Sequence, residues 1–212
     1  MPIRTEIHYL ANDFFIDDLE NECWGIAGEI LIDRYWSGEK ASAERHLKAK
    51  LLWSDKALYV YFDANQAEPL VMSDSPNLTS TTDGLWNRDV CEIFVAPDQN
   101  QPRKYFEFEI APNGEWLDLA IDLTGIERKT DWNYKSGMKS FAKIEGSKIR
   151  SAAKIEWKAF GSTPKAGDIW LGNLFRCVGK DPNRGYLAWS PTGTELPNFH
   201  VPDKFGEFEF IK

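Results

Sequence analysis

Apolar and polar residues alternate with a period of two along most of this 212-residue chain. That alternation commits it to β structure, because only a strand sends successive side chains to opposite faces. Strands are predicted over residues 45–53 and 58–63, joined by the turn Ser54-Asp55-Lys56-Ala57. Further strands are expected over 90–95, 105–110, 115–121, 141–145, 148–157, 169–178 and 205–211. In the second of these, Phe106, Phe108 and Ile110 share one face, while Tyr105, Glu107 and Glu109 share the other. Asn113-Gly114 is a two-residue hairpin signal. Helical periodicity is confined to a short turn near Trp157-Lys-Ala-Phe160.

Short strands separated by polar turns imply an all-β chain folded as an antiparallel β-sandwich, jelly-roll-like, with two packed sheets and long surface loops. Residues 1–212 read as a single domain without repeats. Trp53, Phe106, Phe108 and Phe210 are its expected core. The stretch 68–84, rich in Ser, Thr, Asp and Pro, is expected to be one long surface loop of the kind that carries function.

Composition removes several functions. Lys plus Arg number 25 and Asp plus Glu 33, a net charge of −8, which disfavours a nucleic-acid partner. No stretch approaches the ~18 apolar residues of a membrane span. Cys23, Cys91 and Cys177 are scattered, and His8, His46 and His200 lack ligand spacing, so neither a zinc site nor a disulfide scaffold is expected. The start, Met1-Pro-Ile-Arg, has no basic and apolar leader, so the chain as written is expected to be cytoplasmic, or extracellular if the N-terminus was trimmed. Phosphate loops, dinucleotide fingerprints and nucleophile elbows are absent from the sequence.

Aromatic residues and carboxylates remain. Aromatics make up 14% of the chain, with 9 Trp. Sugars pack their C–H faces on indole rings and offer hydroxyls to carboxylate, amide or guanidinium groups. Trp86, Trp189, Glu92, Asn173 and Arg176 supply those groups. Glu92 paired with Glu107 or Glu109 equally suits general acid–base cleavage of a glycosidic bond, or a calcium site. The same acids also fit the solvated face of a half-exposed sheet.

The motifs then fall in an order that resembles the family nine carbohydrate-binding modules, known as appendages of xylanases. Ile16-Asp-Asp-Leu-Glu-Asn-Glu-Cys-Trp24, Leu52-Trp-Ser-Asp-Lys-Ala-Leu-Tyr-Val60 and Trp86-x-x-Asp89-x-x-Glu92-Ile-Phe carry the resemblance, with Trp189-Ser and Pro202-Asp-Lys-Phe-Gly206 closing it. It implies a non-catalytic β-sandwich that binds a mono- or oligosaccharide of xylan or cellulose type between two tryptophans. It puts Trp86 and Trp189 on the clamp, Glu92 on a hydroxyl-binding carboxylate and Asn173 beside the site. It also implies structural calcium, with no ligand set assigned. Glu107 stands where the xylanase modules carry Arg, and Phe175 where they carry Gln; Arg176 is the candidate to supply the missing guanidinium. Related sandwiches bind haem, for which Met72 or His200 are the available axial ligands.

Overall fold

The structure, a computed structural model, describes residues 2–212. Its strands are β1 (Arg4–Tyr9), β2 (Ile30–Ile32), β3 (Leu47–Trp53), β4 (Ala57–Asn65), β5 (Val90–Ala96), β6 (Lys104–Ile110) and β7 (Trp116–Asp122). They continue with β8 (Lys129–Asp131), β9 (Lys139–Glu145), β10 (Lys148–Glu156), β11 (Ile169–Val178), β12 (Gly185–Ala188) and β13 (Gly206–Ile211). Each predicted strand is present within a few residues. The expected helical turn is one 3-10 turn, Trp157–Ala159. Among the described residues there is no α-helix, and none therefore long and apolar enough to cross a membrane.

All thirteen strands join in one hydrogen-bonded sheet, in the order β8-β7-β6-β5-β11-β13-β1-β3-β4-β10-β9, with β12 on β11 and β2 on β3. The sheet curls, and its two halves pack face to face as a sandwich. One feature departs from a purely antiparallel arrangement: β1 runs parallel to both β13 and β3. It stitches the halves together, so the sandwich is a single folded-over sheet rather than two separate ones.

Between the halves lies a core that takes Leu47, Val60, Phe62 and Ile155 from one side and Ile93, Val95, Phe108 and Leu174 from the other. Trp53, Phe108 and Phe210 are buried there as expected. Phe106 is half-buried at the margin, against Tyr134 and Phe160. Outside each half lies a smaller cluster. Leu10, Ile16, Leu19 and Trp24 cover the β3–β4–β10 side.

The other outer cluster positions the site. Val90, Phe94, Tyr105, Leu117, Leu119, Ile121, Phe175 and Cys177 line the outer face of β5, β6, β7 and β11. The loop of residues 68–84 carries no strand, as expected. Asp89 pins it: one carboxylate oxygen accepts from the Val71 amide at 3.0 Å and the Gln66 side chain at 3.2 Å, the other from the Gly179 amide at 2.7 Å.

Candidate functional site

The register of β5 and β6 creates the site. Glu92 lies opposite Glu109, and Phe94 opposite Glu107, so the three glutamates emerge on the same outer face. This face is not a solvated one. Glu92, Glu107 and Glu109 are buried, and one oxygen from each lies within 4.8 Å of the others. Glu92 accepts a weak hydrogen bond from the Cys177 thiol at 3.5 Å. Oε2 of Glu107 and both oxygens of Glu109 have no partner.

Burial lifts the carboxyls of all three above the usual carboxylate range. The charge of Glu107 raises Glu92 further, and the charges of Glu92 and Glu107 raise Glu109. For Glu107 the shift is opposed by the adjacent Glu109 carboxyl and by the field of Arg128. Burial also raises the Cys177 thiol, which stays protonated and is no nucleophile.

Above this floor opens a cleft of about 280 Å³, near the lower end of small-molecule pockets, about 300–1,000 Å³. Glu92, Glu107, Phe94, Leu119 and Ile121 form its base. Trp86 comes from a 3-10 turn that starts after Gly84, whose φ of 73° is a left-handed conformation suited to glycine. Trp132 follows β8. Their rings lie 6.2 Å apart at 44°, and they are 36% and 50% exposed. Tyr186 of β12 and the segment Pro197–His200 complete the wall, and Arg128 also lines the cleft. Phe199 anchors that segment by stacking on Phe175 at 4.0 Å, and the Tyr105 hydroxyl meets His200 Nδ1 at 2.7 Å. Desolvation, followed by Arg128, pushes His200 down to about 3, so its ring is neutral at physiological pH.

The residues singled out in the sequence separate into two groups. Trp86 and Glu92 line the cleft together. Trp189 does not: it is 7% exposed, stacks on Phe208 at 5.6 Å and 19°, and belongs to the central core. Gly206 makes room for it, since a Cβ there would collide with the indole. Asn173 is buried and fastens Ser190 to β11. Its Oδ1 accepts from the Ser190 and Leu174 amides, each at 2.9 Å, and its Nδ2 donates to the Ser190 carbonyl at 2.8 Å.

Arg176 points to the other face of β11 from Phe175 and Cys177, away from the glutamates. It donates to the Arg45 carbonyl at 2.8 Å, the His46 carbonyl at 3.2 Å and Gln66 Oε1 at 2.6 Å. No free guanidinium group is left to face the cleft from there. Glu107 and the ring of Trp132 are the groups the geometry adds. An indole placed in the polar run Lys129-Thr-Asp-Trp132-Asn was the available signal for the latter.

The glutamate trio is the described cluster closest to a metal site, but its surroundings suit calcium poorly. Calcium takes six to eight oxygens. Packed directly beside the three carboxylates are Phe94, Leu119, Phe175 and a protonated thiol, and the cleft's other oxygen-bearing side chains are Asn87, Thr130, Tyr186 and Asn198. His200 spends its Nδ1 on Tyr105, and Met72 is not among the cleft-lining residues, so no pair of haem ligands meets there.

Comparison with known proteins gives a consistent picture. The family model described as carbohydrate family 9 binding domain-like matches residues 16–212. A protein described as carbohydrate-binding from Bacteroides uniformis has the same fold with a TM-score of 0.78 at 17% identity, over 99% of this chain and 100% of its own. A family 9 carbohydrate-binding module from Caldicellulosiruptor kristjanssonii in complex with cellotriose superposes with a TM-score of 0.69 at 17% identity, covering 98% of this chain and 93% of its own. Its glucose complex gives 0.69 at 18% identity, over 97% and 95%. An extracellular protein of Arthroderma benhamiae is 22% identical over 177 residues, which is 76% of this chain and 77% of that one.

Proposed function

Because the chain belongs to the carbohydrate family 9 binding domain-like family, we propose that it binds a saccharide non-catalytically in the cleft above Glu92 and Glu107. The observation that carries this reading is the pairing of exposed indoles with buried carboxylates. Trp86 and Trp132 present rings at the mouth, and two glutamates wait at the base of the same cavity. One face of a pyranose packs on the rings, and its hydroxyls reach the acids. Carboxyl oxygens without partners accept readily from hydroxyl groups. The clamp we propose is therefore Trp86 with Trp132, with Tyr186 beside them. The cellotriose and glucose complexes of the Caldicellulosiruptor module make gluco-configured sugars the first ligands to try.

A hydrolytic role fits less well. Glycoside cleavage needs two carboxyls whose environments push their pKa values apart, one kept ionised and one kept protonated. Here the trio lies side by side on one floor and burial raises all three. A glycan array, followed by calorimetry with glucose, xylose and cello-oligosaccharides, tests the proposal. Millimolar or tighter binding without release of reducing sugar is the expected result. No binding to any saccharide would contradict it, and turnover of a bound oligosaccharide would assign a hydrolase.

A further inference from the structure

The floor of the cleft gathers acidic groups that no cation touches among the described residues. Glu107 lines the cavity with Oε2 unpartnered, and Glu109, fully buried behind it, has neither oxygen hydrogen-bonded. A neutral sugar would fill the cleft and take more water from these acids without supplying a countercharge. Desolvated carboxylates are stable only when paired. A ligand that brings its own cation removes the imbalance.

The geometry specifies what kind of cation. Glu92 and Glu107, the two acids that line the cleft, have oxygens no more than 4.8 Å apart, a span that one nitrogen can bridge at about 2.8 Å, the length of a charge-assisted N–H···O bond. The side chains packed beside the acids are aromatic and aliphatic, Phe94, Leu119 and Phe175 among them. The oxygen-bearing Asn87, Thr130 and Asn198 of the cleft are neutral, so the acids are its only anionic groups. Trp86, Trp132 and Tyr186 offer ring faces that attract an organic cation as well as a sugar's C–H face. Arg128 also lines the cleft, but it is exposed, where solvent screens its charge.

We propose that the cleft selects an amino sugar, a pyranose with a free protonated amine, whose ammonium group is received by Glu107 and Glu92. This rests on the saccharide-binding reading and names the ligand class for the same site. The N-acetylated sugar is excluded by the same argument, since its amide carries no charge and adds bulk above buried carboxylates.

Calorimetry at pH 7 with glucose, glucosamine and N-acetylglucosamine, and with cellotriose against the β-1,4-linked trisaccharide of glucosamine, tests this. The wild-type protein should bind each amino sugar about tenfold or more tighter than its neutral counterparts, and added salt should erode the difference. Glu107→Gln should remove the preference, leaving amino and neutral sugars within about threefold of each other. Wild-type binding of glucose or N-acetylglucosamine as tight as glucosamine would overturn the inference while leaving saccharide binding intact. So would tightening of neutral-sugar binding by calcium that Glu107→Gln abolishes, which would assign the trio to a metal. Failure of every sugar to bind would overturn the saccharide reading itself, and this inference with it.

Discussion

Trp189 lies flat against Phe208, ring centroids 5.6 Å apart at 19°, in the space left by Gly206. That contact makes it part of what holds β12 and β13 on the sandwich. Trp189→Ala should therefore cost about 3–5 kcal/mol of stability, as for other buried aromatic truncations. Trp189→Phe should retain most of it. Chemical denaturation of the two variants measures the difference.

Asn173 joins the chain after β12 to β11 through two hydrogen bonds to the Ser190 backbone, and it accepts a third from the Leu174 amide of its own strand. Asn173→Ala leaves the buried Leu174 amide without that acceptor and frees Ser190 from β11. A loss of about 1–3 kcal/mol is expected. Asn173→Asp keeps an acceptor but gives up the donor to the Ser190 carbonyl and buries a charge, so it should not rescue stability. Denaturant melts at neutral pH decide between these outcomes.

Glu109 supplies a pH prediction. Its carboxyl is raised above its ordinary value by burial first and by Glu92 and Glu107 second, so the folded state favours its protonated form. A group of this kind contributes its full stability below the unfolded pKa, about 4.3, and that contribution is lost as pH rises through the folded value. Glu109→Gln should consequently raise the melting temperature at pH 8 and leave it nearly unchanged at pH 4. The gain at alkaline pH is about 1–3 kcal/mol, the cost of an unsatisfied buried polar group. A variant equally destabilised at both pH values would mean that Glu109 is held by contacts beyond those of the trio.

Strands with clear alternation were legible in the sequence, and their hairpins with them, because local pairing and local pattern agree. β1, β2, β8 and β12 were not. β1 buries only Ile7 fully, and it owes its existence to a parallel partner, β13, some two hundred residues away. β12 has four residues. No period can be read in so few positions.

The site was legible in part, for a similar reason. Trp86 and Glu92 sit in one local motif, each three residues from Asp89, and local motifs survive reading. Glu107 and Glu109 showed the alternation of a half-exposed sheet. Their burial comes from segments supplied by distant parts of the chain, among them β8 and the run Pro197–His200. Arg176 was placed one position from Phe175 on the same strand, and in a strand one position is the opposite face.

The location of the binding cleft is tested most directly by calorimetric titration of one saccharide that binds the wild-type protein into two variants, Trp132→Ala and Trp189→Phe. Trp132 is half exposed, so its truncation should move stability by less than about 1 kcal/mol. It removes a stacking face worth roughly 1–2 kcal/mol together with the area it covers, and a weak complex of about 4–6 kcal/mol has little left afterwards. The account predicts that Trp132→Ala, with an unchanged melting temperature, loses measurable binding, while folded Trp189→Phe binds as the wild type does. Binding kept in Trp132→Ala and lost in folded Trp189→Phe would contradict it and return the clamp to Trp189.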